Sequence, residues 1–91
     1  AEEGFVSVIT VVEKASGKII SGPDIQTKGV AESNRVFNEI KPKLKKELEE
    51  AIASGKWDQK SLQQVIRRTI GRWVGTKLRR KAMIVPVVVE V

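Results

Sequence analysis

The sequence contains no histidine, cysteine or tyrosine. Their absence excludes the commonest general base, the thiol nucleophile and the side chains that most often bind transition metals. The acids that remain are isolated or lie among lysines on predicted helical surface, where carboxylates are usually solvated. Because no two of them have the features of a dedicated acid–base pair, we expect no catalytic residue and no metal site in this chain.

The sequence also has no basic-then-apolar leader and no apolar run of about 18 residues, the length that a membrane-spanning helix needs. The lack of cysteine fits a reducing compartment. We therefore expect a cytoplasmic protein without membrane contact. A chain of 91 residues, of which 41% are hydrophobic, predicts one domain over residues 1–91 with a modest core. So small a domain is marginally stable and gains from a partner surface.

Acids are missing from much of the second half of the chain, whereas cations are abundant there. The formal net charge is +6. No acid occurs from Gln59 to Lys81, and the cations of that segment are Lys60, Arg67, Arg68, Arg72, Lys77, Arg79, Arg80 and Lys81. Such a basic surface favours phosphate groups or acidic protein surfaces as partners.

The N-terminal segment predicts a β-hairpin. Residues 5–12 are rich in β-branched side chains and lack helical spacing, which is typical of a strand. Both faces of this strand are apolar enough that we expect each to be at least partly covered. A turn over residues 13–18 contains Gly17, and Ile19 and Ile20 resume the apolar pattern after it.

Pro23 marks the expected end of the second strand. Proline has no N–H to donate to a sheet, and the preceding Gly22 tolerates unusual backbone angles. We therefore expect the strand to stop or bend at residues 21–24. Residues 25–30 then form a short extended or looped segment.

The first predicted helix begins near Ser33 or Asn34, either of which can cap it. Pro42 interrupts the helical pattern and predicts either a kink or a fresh helix start. Gly55 suits the C-terminal end. The apolar stripe of this helix is Val36, Phe37, Ile40, Leu44, Leu48, Ala51 and Ile52.

The second predicted helix can be capped by Asp58 or by Ser61, and Ser61 with Gln64 matches a capping box. Gly71 and Gly75 weaken the helix by about 1 kcal/mol each relative to alanine, and indicate either close approach of another backbone or simple tolerance. The apolar stripe, which is core or interface, is Leu62, Val65, Ile66, Ile70, Trp73, Val74 and Leu78.

The chain ends on residues 83–91, an almost continuous apolar run that predicts a strand. Pro86 favours an edge position or a bulge. An uncovered apolar edge invites aggregation, so a helix, the hairpin or a second copy of the chain should cover it. The candidate self-association residues are Met83, Ile84, Val85, Val87 and Val89.

The order strand, strand, helix, helix, strand predicts an α+β fold with two layers. We expect a small three-stranded sheet, made of the N-terminal hairpin and the C-terminal strand, packed on two α-helices. Residues 1–30 form the hairpin and the connecting loop of this single domain, and residues 31–91 form the helix–helix–strand part.

An arginine strip on the second helix is the main polar candidate for binding. Arg68, Arg72 and Arg79 share one side of the helix and Arg80 lies beside them. Arginine forms bidentate contacts with phosphates and carboxylates, so the strip can contact RNA or an acidic partner. Solvation, or ion pairing with another subunit, is the simpler interpretation. The four aromatic residues indicate no platform for stacking bases.

Two separated motifs resemble a known family. The segment GKIISGPDI at 17–25, followed by KGV at 28–30, is similar to the segment that leads into the C-terminal domain of bacterial ribonuclease J. The ending RRKAMIVPVVVEV at 79–91 is similar to the terminus of that family. The resemblance covers essentially all 91 residues. Lys28, Val30 and the pair Lys81–Ala82 depart from the usual arginine, aromatic and Arg-Pro residues of the family.

The resemblance implies a parent protein of the metallo-β-lactamase and β-CASP class. Such a protein carries two zinc ions and acts on RNA as a 5′-to-3′ exonuclease and an endonuclease in RNA processing and decay. The metal ligands of the family are His and Asp motifs in the preceding catalytic domains, and none of these motifs occurs in this chain. The resemblance implies a non-catalytic domain without a cofactor of its own. Its partners would be a second copy, as a homodimer or tetramer, and the catalytic domains of its parent chain. RNA binding through the second helix is the alternative.

Overall fold

The computed structural model describes residues 4–91. It contains three strands, β1 (Phe5–Val12), β2 (Ile19–Lys28) and β3 (Met83–Glu90). The two α-helices are α1 (Lys41–Ala53) and α2 (Gln59–Trp73). A 3₁₀ turn (Asn34–Glu39) precedes α1, and a π-helical turn (Val74–Leu78) continues α2. The predicted α+β fold with a three-stranded sheet and two helices is confirmed.

The strands form one mixed sheet in the order β2–β1–β3. β1 is central, pairing antiparallel with β2 and parallel with β3. The parallel pairing is possible because the connection from β2 to β3 contains both helices and is long enough to cross from one edge of the sheet to the other. β3 is therefore an edge strand, and the edge position predicted from Pro86 is confirmed.

β2 continues through Pro23, so of the predicted stop or bend at residues 21–24 the stop is wrong, and the structure has a register shift against β1 there. The strand runs to Lys28 and includes most of the segment predicted as a short extended or looped stretch. β2 is the other edge of the sheet, where a proline without an N–H is tolerated. Two register shifts against β1 absorb the irregularity, each where β2 has one residue more than β1.

Pro42 marks a fresh helix start and not a kink. It lies in the first turn of α1, where its missing N–H has no intrahelical partner to lose. The preceding 3₁₀ turn is capped by Ser33, whose side chain accepts a hydrogen bond from the Arg35 N–H at 3.1 Å. At the other end of α1, Gly55 has a φ of +88°, which confirms its predicted role at the C-terminal end.

Asp58 caps α2, whereas Ser61 lies within its first turn. The Asp58 carboxylate accepts a hydrogen bond from the Ser61 N–H at 3.0 Å. Hydrogen bonds from the Ser61 side chain and backbone hold the pKa of Asp58 below its ordinary value. Ser61 is therefore not the N-cap that a capping box with Gln64 requires, because Asp58 occupies that position.

The core lies between the helices and one face of the sheet. β1 contributes Val6, Val8, Thr10 and Val12, all of them at most 1% exposed. The apolar stripes of both helices pack against this face. Each stripe thus forms part of the core of its own chain. A domain of this size needs to bury such apolar residues to be stable.

The two glycines of α2 do not mark close approach of another backbone within residues 4–91. A Cβ on Gly71 would meet the Ile84 side chain at 4.0 Å, which is ordinary contact. A Cβ on Gly75 would meet no described atom within 4 Å. Within the described chain, tolerance is the interpretation that the geometry supports.

Candidate interaction surfaces

The face of the sheet that points away from the helices is exposed. Its side chains come from alternate residues of the three strands and form matched rows, because residues paired across strands lie on the same face. We call this surface the open face and define it by Phe5, Ser7, Ile9 and Val11 of β1, Met83, Val85, Val87 and Val89 of β3, and Asp24, Gln26 and Lys28 of β2.

The open face is apolar along β1 and β3. Phe5, Ile9, Met83, Val87 and Val89 are between 37% and 49% exposed. Phe5 and Ile9 are nevertheless more than half buried, so the expectation that each face of β1 is at least partly covered holds within residues 4–91, although the open face is covered far less than the other. The helices and their connecting segments shield only the face that carries Val6, Val8 and Val12.

The sequence produces this surface because β3 is apolar at nearly every position. A strand with such a run is typical of a parallel sheet that is covered on both sides. In this domain α2 covers the side with Ile84, Pro86 and Val88, and the intervening valines are left outward. Within residues 4–91, an apolar strand that helices cover on one side thus leaves an apolar surface on the other side.

The structure brings together four of the five candidate self-association residues and separates the fifth. Met83, Val85, Val87 and Val89 lie on the open face. Ile84 points to the opposite side and packs against the core beside α2. The apolar stripe of α2, predicted to be core or interface, packs on the sheet of its own chain and is therefore core.

Sequence reasoning missed the contribution of β1 to this surface. Phe5, Ile9 and Val11 form an apolar alternate set that was visible in the sequence. What the sequence did not give was the strand order, which places this set directly beside the outward residues of β3. Two half-faces that are modest when separate become one contiguous apolar surface.

At the outer edge of β3, two side chains limit hydrogen bonding to a further strand. The Met83 N–H donates to the Gly4 carbonyl and the Val91 N–H to the Val12 carbonyl, so the odd-numbered residues turn their polar groups towards β1. Even-numbered residues therefore turn theirs outward. Pro86 has no N–H to offer at that edge, and the Gln59 amide donates to the outward Val88 carbonyl at 3.0 Å.

The arginine strip is divided between two places. Arg68 and Arg72 are exposed and line a cleft of about 270 Å³ between α1 and α2, together with Lys43 of α1. Arg79 and Arg80 follow the π-helical turn, and Arg79 ends that turn in a left-handed conformation with φ of +53°. Of the four arginines predicted to act together, the structure thus places only Arg68 and Arg72 in one cleft.

The cleft also contains acids, which limits its positive charge. Glu39 accepts a hydrogen bond from the Trp73 indole at 3.0 Å and lies 3.5 Å from the Lys77 ammonium group. Trp73 in turn packs on the buried Phe37, with ring centroids 5.0 Å apart. Glu47 lines the same cleft, although no carboxylate of the described residues lies within 4.0 Å of Arg68 or Arg72.

The donor set does not fit the zinc ions of the family that the sequence resembles. Protein zinc sites are built mainly from histidine and cysteine, and the sequence has neither. Among residues 4–91 no three acidic side chains come close enough together to hold a metal ion. No step of a zinc reaction can therefore be assigned to the residues of this chain.

Fold and surfaces together define a small α+β domain, with a mixed sheet covered on one side and open and apolar on the other. The chain belongs to the Ribonuclease J C-terminal domain family, whose family model matches residues 1–91. It is 38% identical to Ribonuclease J of Mycobacterium tuberculosis over 88 residues, which is 97% of this chain and 16% of that protein.

Other relatives are more distant. Ribonuclease J 2 of Staphylococcus epidermidis is 28% identical over 94 residues, covering 100% of this chain and 17% of that protein. Ribonuclease J of Corynebacterium glutamicum is 27% identical over 89 residues, covering 97% of this chain and 12% of that protein. The chain thus spans about a sixth or less of the length of these curated relatives. No helix within residues 4–91 is long and apolar enough to cross a membrane.

Proposed function

We propose that this chain is the assembly domain of a larger ribonuclease J-type protein, and that it joins copies of that protein through the open face. The observation that carries the proposal is the exposure of Phe5, Ile9, Met83, Val87 and Val89 on one surface. A large contiguous apolar patch on the surface of a folded protein usually marks an interaction site.

A second copy of the chain is the partner that this surface suits. Most homo-oligomers are closed and symmetric, and a two-fold contact requires one patch that complements itself. Most side chains of the open face on β1 and β3 are apolar, while its polar groups are Ser7 on β1 and the β2 residues at the side. A largely apolar patch with polar groups at its margin is the usual anatomy of a protein interface.

In this proposal, catalysis belongs to the rest of the parent chain. The parent would be a zinc-dependent 5′-to-3′ exo- and endoribonuclease that acts in RNA processing and decay in the cytoplasm. The relatives' name supports an RNA substrate, and the small share of their length that this domain covers leaves room for the catalytic domains. The domain itself would bind no cofactor and would contact both a second copy and the catalytic domains of its own chain.

Deleting this 91-residue domain from the parent protein tests whether assembly and catalysis belong to different parts of the protein. We expect the shortened protein to form smaller assemblies in light scattering than the parent, because the open face is lost. Cleavage of RNA should remain measurable at high enzyme concentration, since no catalytic group is removed. Unchanged assembly after the deletion would refute the assembly role, and complete loss of chemistry in a folded protein would refute the absence of catalytic groups.

RNA binding is the second candidate function, and the cleft between α1 and α2 favours it. Arg68 and Arg72 converge there with Lys43, and phosphate contacts from such side chains hold nucleic acid without reading its sequence. The absence of acids from Gln59 to Lys81 adds to the attraction at longer range. Glu39 and Glu47 in the same cleft oppose it, which is why this function ranks second.

A salt titration with single-stranded RNA tests the second candidate. Replacing both Arg68 and Arg72 by alanine should weaken binding about tenfold at low salt and reduce the slope of log affinity against log salt by about 1.4, which is about 0.7 for each lost phosphate contact. Replacing Lys45 and Lys46 of α1 by alanine removes the same charge elsewhere and serves as the control. An equal loss in both variants would assign binding to net charge and exclude the cleft.

A further inference from the structure

The two edges of the sheet are poor sites for adding a strand from another copy. At the β3 edge Pro86 lacks an N–H and Gln59 occupies the outward Val88 carbonyl. At the β2 edge Pro23 has no N–H to donate, and two register shifts distort the strand. Proline, bulges and side-chain caps of this kind are how natural sheets prevent edge-to-edge pairing. Two copies that associate through the sheet should therefore pack face to face and not edge to edge.

The open face has a regular order of rows across the sheet. Lys28, Phe5 and Met83 form the first row, followed by Gln26, Ser7 and Val85, and then by Asp24, Ile9 and Val87. In each row the β2 residue is polar and exposed, and the β1 and β3 residues are apolar or small. Along β2 the charge thus changes at every second residue, from positive at Lys28 to neutral at Gln26 and negative at Asp24.

Consider two sheets that face each other, related by a two-fold axis that lies midway between them and runs along a row, perpendicular to the strands. This axis places each strand over the same strand of the second copy, in the opposite direction. An axis on the row of Ser7 would place the first row of one copy over the third row of the other. Lys28 would then face Asp24 of the second copy, twice in each dimer. An axis on the row of Phe5 would place Lys28 against Lys28, and one on the row of Ile9 would place Asp24 against Asp24.

We infer that two copies pack open face to open face about a two-fold axis on the row of Gln26, Ser7 and Val85, with Lys28 of each copy paired to Asp24 of the other. The inference rests on the proposed assembly function through the open face and adds the position of the two-fold axis and the register. Facing sheets lie about 10 Å apart, a gap that a lysine and an aspartate side chain can bridge at the rim. Phe5 and Met83 of one copy then cover Ile9 and Val87 of the other.

The charge pairs set the register, and the apolar side chains hold the dimer together. Rim charges contribute modestly to affinity but act strongly against wrong arrangements, because like charges in contact repel. Among axes that run along these three rows, the axis on the row of Ser7 gives two attractive pairs. The axes on the rows of Phe5 and Ile9 each place like charges together.

A charge exchange in the 91-residue chain, which has its own hydrophobic core, tests the register. Lys28→Glu places an acid against Asp24 at both sites, and Asp24→Lys places a cation against Lys28 at both sites. Each single variant should weaken the dimer about tenfold in sedimentation equilibrium at low salt, since two attractive pairs become repulsive. The double variant restores opposite charges and should return to within about threefold of the original affinity.

Lys60→Glu is the matched control. It makes the same change in net charge as Lys28→Glu, at an exposed position in the first turn of α2, on the side away from the open face. The control should associate like the unmodified chain. The defect of Lys28→Glu should also shrink as salt is raised, because exposed charges are screened.

The position of the axis has an independent readout. The chain has no cysteine, so Ser7→Cys introduces a single thiol beside the axis, facing its counterpart in the second copy. A short bis-maleimide should then link the dimer in high yield. Ser54→Cys, an exposed position at the end of α1, is the control and should give only background linkage.

The outcomes separate this inference from the assembly function on which it rests. A chain that stays monomeric at high concentration refutes both. A dimer whose affinity is unchanged by Lys28→Glu and Asp24→Lys, or is not recovered in the double variant, refutes the register and leaves the assembly function standing. Equal linkage at Ser7→Cys and Ser54→Cys refutes the axis in the same way.

Discussion

Replacing Val87 by glutamate is expected to abolish self-association of this chain while leaving its fold intact. Val87 lies beside Ile9 on the open face and is 38% exposed in the single chain, so a carboxylate there can remain hydrated in the monomer. In the dimer the same carboxylate would be buried against apolar side chains without a partner. Burying an unpaired charge costs at least about 3 kcal/mol, which weakens a dimer by more than about 100-fold.

Sedimentation velocity at several concentrations measures this effect, and Gln64→Glu is the control. Gln64 is exposed on α2 and gains the same charge on the helical side of the domain. We expect the control to associate normally and both variants to unfold at temperatures close to that of the unmodified chain. A Val87→Glu chain that associates as well as the control would place the interface somewhere other than the open face.

Replacing Gly17 by alanine is expected to be among the most damaging single-atom additions in the fold. Gly17 has a φ of +79°, and a Cβ there would lie 2.9 Å from both the Trp57 ring and the Ile52 side chain. The Trp57 indole is itself held by the Lys14 carbonyl at 3.1 Å, so the ring cannot easily move away. Backbone strain and overpacking together should lower the free energy of unfolding by about 2–3 kcal/mol.

Gly55→Ala separates the two causes. Gly55 has a similar φ of +88°, but a Cβ there would meet nothing within 4 Å. We expect this variant to lose only about 1 kcal/mol in urea unfolding, which is the cost of the left-handed backbone alone. Equal losses at the two glycines would show that the contact between the β1–β2 turn and Trp57 is looser than the structure has it.

The sequence predicts the elements well where a single local signal decides them. The apolar stripe from Leu62 to Leu78 predicts that the chain is helical as far as Leu78, since its spacing of three and four is unbroken, although it does not predict that the last turn is π-helical. Gly55 is correctly assigned to a helix end, and of the kink and the fresh helix start predicted at Pro42 the structure has the fresh start. The edge position of β3 follows from Pro86 for the same reason.

The errors occur where long-range pairing outweighs the local signal. Pro23 is a strand breaker in the sequence, but β2 is an edge strand whose irregularity is absorbed by register shifts. The apolar residues on both sides of β1 suggest that each face is at least partly covered, but they do not indicate how unequal the cover is, since within residues 4–91 the helices lie on one face of the sheet. Which face a helix covers depends on tertiary packing that no window of the sequence contains.

The candidate site is partly predictable for the same reason. Apolar content alone points to β3 as an interface element, and four of its five predicted residues do lie together on the open face. The periodicity of a strand could have excluded Ile84, because it is one position out of step with Met83 and Val85. The arginines are harder, since Arg79 belongs to the helical strip in a regular helix but lies past the π-helical turn in the structure.

Sedimentation equilibrium of the unmodified 91-residue chain, from low to high micromolar concentration, tests the central claim most directly. The open face predicts a reversible monomer–dimer equilibrium, with the mass rising to twice that of one chain. A chain that keeps the mass of one copy up to the highest concentration, while its circular dichroism shows that it is folded, would contradict the claim that the open face joins copies.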